Sequence, residues 1–291
     1  MEILNNPVVT PHRVHALLRI VSRMNRPKRE DILDMLQPAK LVNNQKTASA
    51  TLSAAREHNL VLEHNDGGYI LHPDLKKVDD IEQFRIAIAH QVTGIINPND
   101  DNYLLNSFTA WYAVQSERVL QMQNKKQAAD QYHEDMSNRS ETEVRDEGRA
   151  FNDTKFNGWL RWAAFLGWGI PFQHNFSLLM PNAQHRLKPL LPRLLPNAQS
   201  EPFGVFMERL ANVCPELDGG ELFEDCWVKS RPNEPRGNKL SLMLSTALRT
   251  LHHLGHLTLT ELNDAPETWQ LFPAHPPSIL TVTHIQQGGT S

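Results

Sequence analysis

The sequence predicts a mainly α protein with small β wings, and three observations predict it. Apolar residues recur at helical spacing through most of the 291 residues. Two stretches, Pro7–Leu75 and Glu201–Pro273, repeat one order: a short apolar helix, a second short helix, a longer helix, then two short strands around a polar turn. The segment between them carries further helical stripes. The expected architecture is two winged helix-turn-helix domains, residues 1–78 and 201–273, joined by a helical region, 79–200, and followed by a tail, 274–291.

In the first module Val14, Leu17, Leu18, Val21 and Met24 form one apolar stripe. Pro27 suits the first turn of a second helix over about Lys28–Leu36, with Ile32, Leu33 and Leu36 inward, and Pro38 stops it. Asn43 or Asn44 can cap a third helix over Gln45–His58, whose inward face is Ala48, Leu52 and Ala55. Strands then flank the turn Asn65-Asp66-Gly67-Gly68.

In the middle, Ile81, Phe84, Ile88, Val92 and Ile95 make one helix, broken at Asn97-Pro98-Asn99. Leu105, Phe108, Tyr112, Gln115, Val119 and Met122 make another, expected to exceed 25 residues and able to serve a homo-dimer. The charged run 124–150 reads as an exposed continuation or a loop. Trp159, Trp162 and Trp168 lie in the most apolar stretch and read as a buried hub, with a partner-binding surface as the alternative. Five prolines within 181–202 predict short helices with kinked joints.

In the second module Phe203, Phe206, Leu210 and Val213 form the first stripe, and Leu222, Phe223 and Cys226 the second. The loop Lys229–Lys239, with four cations and one acid, reads either as a mobile phosphate-meeting loop or as a plain insertion. The third helix, about Leu240–Leu254, turns Leu240, Leu244, Ala247, Leu248 and Leu251 inward. Strands are expected at Leu257–Thr260 and Trp269–Leu271, and the chain from Ala274 as an extended tail, disordered at its last four residues.

Two helix faces carry the functional expectation. Lys46, Ser49, Ser53 and Arg56 face outward on the first long helix, and Ser241, Ser245, Arg249 and His252 on the second. Short hydroxyls allow close approach to a major groove, while Lys and Arg reach phosphates or guanine. The DNA-binding residues expected are therefore Lys46, Ser49, Ser53, Arg56, Ser245, Arg249 and His252, against the plainer reading of a solvated face or a protein contact. Charge favours the first module: residues 1–78 hold 11 Lys/Arg against 8 Asp/Glu, although the chain's net charge is −4. Non-specific DNA binders usually carry a large positive surplus, so a partner protein is expected to supply part of the affinity. The turn at Asn65–Gly68 is not basic and is a poor phosphate grip.

No P-loop, Gly-x-Ser-x-Gly elbow or Cys-x-x-Cys pair occurs. Glu141, Glu143, Asp146 and Glu147 lack an apolar frame to shift a pKa, so no catalytic residue is expected. His252 and His256 are four apart, but Gly255 between them ends the helix, so no metal is expected, and no cofactor. Cys214 and Cys226 read as core fillers. Without a disulfide framework, a membrane-length apolar run or a signal-like start in Met1–Asn6, a cytoplasmic setting is expected.

The two modules, with Trp159-Leu160-Arg161-Trp162-Ala163-Ala164-Phe165-Leu166-Gly167-Trp168-Gly169 between them, resemble small accessory proteins of bacterial genome-defence and DNA-modification clusters. Among these the chain is similar to the DpdG-like family, found with enzymes that place 7-deazaguanine in DNA. The resemblance covers most of the chain through an aromatic helix ending in Gly-x-Gly and the order of modules, and carries no catalytic residues. It implies a subunit of an assembly acting on foreign DNA, in antiviral defence or DNA modification, that recruits or scaffolds while other subunits cut, unwind or modify. The expected role is thus a non-enzymatic adaptor that binds double-stranded DNA and other protein subunits. The alternatives are a protein-interaction scaffold docking a larger enzyme subunit, or a dimeric transcriptional regulator.

Overall fold

The structure is a computed structural model, and it describes residues 3–4, 6–75, 78–122, 124–136, 151–173, 177–197, 199–274 and 278–289. Helices dominate, with small antiparallel sheets between them.

α1 (Pro11–Arg23) begins where Thr10 Oγ1 accepts the Arg13 N–H, and Val14, Leu17, Leu18 and Val21 are buried as the stripe requires. α2 (Arg29–Leu36) buries Ile32 and Leu33, and α3 (Lys46–Glu57) buries Ala48, Leu52 and Ala55 together with Thr51 and Ala54. These small side chains let α3 pack closely on α1 and α2. β1 (Val61–Glu63) pairs antiparallel with β2 (Tyr69–Leu71), Val61 opposite Leu71. The turn between them needs its glycines. Gly67 has φ +78°, and a Cβ on Gly68 would lie 2.7 Å from the Arg26 carbonyl oxygen. The Tyr69 N–H donates to Pro27 O at 2.9 Å, which ties the hairpin to the start of α2.

α4 (Ile81–Val92) is capped by Asp80, whose carboxylate accepts the Glu82 N–H. α5 (Tyr103–Gln115) is shorter than the sequence predicts. It ends at Ser116, which takes φ +52°, and a 3₁₀ turn (Ser116–Gln121) and then α6 (Lys125–Met136) follow. The break has a long-range cause: the Arg231 side chain donates to Val114 O and Gln115 O, and the Ser116 hydroxyl accepts the Leu242 N–H. Every residue of α5 from Leu105 to Gln115 is buried, so the expected dimer helix is an internal one. Residues 137–150, including Glu141, Glu143, Asp146 and Glu147, lie outside the described residues.

α7 (Asp153–Leu166) forms the hub. Trp159 donates to Thr109 on α5, and Trp162 to Val9 O ahead of α1; Trp168, just after α7, donates to Glu216 in the C-terminal part. All three rings are fully buried, so the hub reading holds over the surface reading. After Gly167 the chain makes a hairpin that the sequence reading missed, β3 (Gly169–Gln173) on β4 (Ser177–Pro181). The proline-rich stretch then gives α8 (Gln184–Leu187), a 3₁₀ turn and α9 (Leu191–Leu194), as the prolines predict.

The last part departs most from expectation. β5 (Glu201–Pro202) leads into α10 (Phe203–Val213), α11 (Glu221–Ser230) and α12 (Leu242–His253). β6 (Leu257–Thr260) does not pair with β7 (Trp269–Gln270) as a wing would. β7 pairs with β8 (Thr281–Val282), and β9 (His284–Gln287) sits between β5 and β6. The expected tail therefore supplies β8 to one sheet, with Val282 fully buried, and the central strand β9 to the other, with Ile285 fully buried. Of the four last residues, Gly288 donates its N–H to His256 O, and 290–291 lie outside the described residues.

Candidate nucleic-acid interface

Among the described residues, no other element packs over the outer face of α3. Lys46 and Arg56 are exposed, and Ser49 and Ser53 are half-buried. α3 packs on α1, α2 and β1 with its opposite side. The Asn44 side chain accepts the Lys46 N–H and the Gln37 side chain accepts the Ala48 N–H, so the first turn is capped without using the Lys46 ammonium. Lys46 has no ion pair among the described residues.

Two contacts modify this face. Arg29, at the start of α2, donates to Ser49 Oγ at 2.6 Å. It adds a cation that a helix-by-helix reading of the sequence missed, because the contact joins residues 20 apart on different helices. Arg56 is paired with Glu63 of β1 at 3.0 Å, both about half exposed, and its guanidinium lies 5.9 Å from the centre of the Tyr69 ring. An exposed pair of this kind is worth only about 0–1 kcal/mol, so Arg56 can exchange Glu63 for another anion. The hairpin tip is acidic in effect: the Gly68 N–H, with His64 and Arg26, holds the Asp66 carboxyl below its ordinary range. Arg19 and Arg23 on α1 are both engaged by Asp79.

The matching face expected on α12 is partly covered by the chain itself. Ser245 is 0% exposed and its Oγ accepts the Phe272 N–H at 2.7 Å. Arg249 donates to Ile279 O at 2.9 and 2.6 Å and to Phe272 O at 2.7 Å. His252 Nδ1 accepts the Leu259 N–H at 3.2 Å. Ser241 is buried as the N-cap of α12 and binds Asp218 through both its N–H and its hydroxyl. The reason is that α12 packs against α8, β4 and β6 while the segments around β7 and β8 close over its remaining side. Ser245 is thus internal, and the half-buried Arg249 and His252 are engaged by the chain's own backbone, which corrects their place among the DNA-binding residues.

The loop Lys229–Lys239 is likewise fastened. Arg231 binds Glu234 and lies 4.9 Å from the Trp227 ring; Arg236 binds Glu224 and lies over Phe223; Lys229 binds Asp225. It is an insertion that docks on α5 and α11 rather than a mobile cationic loop. Cys214 and Cys226 are free and buried; burial pushes the Cys214 thiol up to about 12 and Cys226 higher still, so neither is a nucleophile at neutral pH. Gly255, at φ +74°, ends α12 before His256. No helix among the described residues is long and apolar enough to cross a membrane.

Lys46, Ser49, Ser53 and Arg56 therefore share one side of α3 with Arg29 beside them, whereas Ser245, Arg249 and His252 are engaged by the chain's own backbone. No curated protein and no solved structure matches the chain. The family model described as DpdG-like matches residues 1–265 of the 291, from ahead of α1 into the turn after β6. With so much of its length covered, the chain belongs to the DpdG-like family.

Proposed function

We propose that the chain is a non-enzymatic adaptor whose first 78 residues form a winged helix-turn-helix that binds duplex DNA through α3. The observation that carries this reading is the solvent-facing set Lys46, Ser49, Ser53 and Arg56 on the third helix of a three-helix-and-hairpin module. Ser49 and Ser53 are short enough to meet base edges, while Lys46, Arg56 and Arg29 reach phosphates or guanine. Membership in the DpdG-like family supports a place beside enzymes of DNA modification or defence.

The charge distribution argues for modest affinity. The hairpin tip presents Asp66, and α2 exposes Glu30, Asp31 and Asp34, all of which oppose phosphate. Partner subunits then supply the remainder of the binding energy. A photo-crosslinking probe separates the two long helices: attached at Ser53→Cys it should crosslink to duplex DNA, and attached at Thr246→Cys on α12 it should not. Equal crosslinking from both positions, or none from Ser53→Cys, would count against the reading.

A second reading, a scaffold that docks a larger subunit, is favoured by β3–β4. Ile170 and Met180 are directly paired across that hairpin and, like Phe172, are more than a third exposed. On that reading Ile170→Lys with Met180→Lys abolishes assembly with the partner subunit and leaves duplex binding intact.

A further inference from the structure

A cleft of about 260 Å³ lies between α4 and the short helices α8 and α9, well away from α3 in the chain. Its titratable lining is basic: Arg85 and His90 from α4, His185 and Arg186 from α8, and Arg193 from α9, with Thr93 as a neutral polar neighbour and no acidic residue among its walls. Its apolar walls are Ile86, Leu166, Leu190 and Val213.

The sequence assembles this cluster through one turn. Gly167, at φ +88°, ends α7 and lets the next segment come so close that the Arg186 N–H donates to Gly167 O at 3.2 Å. A Cβ at Gly167 would stand 2.6 Å from the Arg186 nitrogen. Arg186 Nε is then fixed on Glu216, which also takes the Trp168 N–H. Arg85 is fixed on Glu82 through one terminal nitrogen, and its guanidinium lies 5.4 Å from the centre of the Phe165 ring.

Glu82 and Glu216 offset two of the cations without lining the cleft. What they leave is uncompensated: Arg85 Nε is buried with no hydrogen-bond partner, and Arg193 is exposed with no ion pair among the described residues. A guanidinium N–H without a partner leaves part of its positive charge uncompensated, and that field favours an anion in the cleft. The imidazole of His185 reports the same field. Its pKa is held below the ordinary histidine value by burial and then by the charge of Arg85, with Lys188 adding to the effect and Glu82 opposing it.

We propose that this cleft binds a small phosphorylated ligand of the nucleoside monophosphate class, its phosphate on Arg85, Arg193 and His185 and its base against Ile86, Leu190 and Val213. The mixture of a cationic rim with apolar walls suits a ligand that is anionic at one end and flat and apolar at the other. The volume, at the small end for ligand pockets, suits a mononucleotide rather than a polymer.

The test is calorimetric titration of the full chain with AMP, GMP and inorganic phosphate, alongside NMR titration of the His185 ring. One nucleotide should bind at least tenfold more tightly than inorganic phosphate. Arg193→Glu should lose at least tenfold in affinity, and Lys46→Ala, on the other face, should bind as the wild type does. The His185 pKa should rise on binding, because a bound anion favours imidazolium. The proposal is overturned if Arg193→Glu binds the nucleotide unchanged, if inorganic phosphate binds as tightly as either nucleotide, or if duplex DNA alone is sensitive to Arg193→Glu. It stands or falls apart from the α3 reading, because the Lys46→Ala protein separates the two sites.

Discussion

Replacing Arg249 by alanine tests whether α12 is fastened inside the protein. In the wild type one guanidinium donates three hydrogen bonds to two carbonyls, Phe272 O just after β7 and Ile279 O just before β8, and so holds both against the helix. A hydrogen bond from a charged donor contributes roughly 1.5–3 kcal/mol when buried, and Arg249 is only part-buried, so about 1 kcal/mol for each carbonyl is the appropriate scale. Lost packing of the aliphatic stem adds about 1 kcal/mol. The expected destabilisation is therefore about 3 kcal/mol, or a fall in Tm of about 6–12 °C for a chain of this size. Urea denaturation followed by tryptophan fluorescence measures it, with Lys239→Ala, an exposed cation, as the reference. A loss below about 0.5 kcal/mol would refute the reasoning, since that is the scale of an ordinary surface substitution. The variant should also bind duplex DNA as the wild type does.

Three further outcomes follow from particular contacts. Gly167→Ala should destabilise by about 2–4 kcal/mol, because it combines a left-handed backbone with a Cβ held against Arg186, and denaturant titration reads the change. Trp168→Phe removes one of the two donors to Glu216, whose second carboxylate oxygen is already buried without a partner, and should cost about 2 kcal/mol in the same assay. His58, at the end of α3, has its pKa lowered chiefly by burial. The unfolded chain therefore takes up the proton first, so the contribution is full above about pH 6.5 and is lost as the pH falls through the lowered folded value. Tm measured from pH 7.5 to 5 should decline less in His58→Gln than in the wild type; parallel curves would contradict this.

The first module was legible because its signals are local. Ala48, Leu52 and Ala55 recur at helical spacing on one side of α3, and Asp66-Gly67-Gly68 has turn chemistry that needs no distant partner. The failures are long-range. Ser245 reads as surface because a hydroxyl satisfied by a backbone N–H 27 residues away resembles one satisfied by water. The stripe Leu105–Met122 continues past Ser116, but the helix does not, because Arg231 binds the last carbonyls of α5 from 116 and 117 residues away. β9 read as a tail because Ile285 is its one apolar residue, flanked by His284, Gln286 and Gln287, so no apolar alternation marks it as a strand. β3 and β4 were hidden by Pro171 and Pro181, which punctuate a sequence but are tolerated in a two-stranded hairpin where one side of each strand is unpaired. On the candidate site, the four residues of α3 were visible as a helix face, while Arg29 became part of it only through the packing of α2 on α3.

The most direct measurement is a fluorescence-anisotropy titration of labelled duplex DNA, repeated over a range of salt, comparing the wild type with Lys46→Ala combined with Arg29→Ala. If α3 meets the duplex, removing two phosphate contacts lowers affinity and makes the slope of log K against log salt shallower by about 1.8. Unchanged affinity and an unchanged slope would contradict the account.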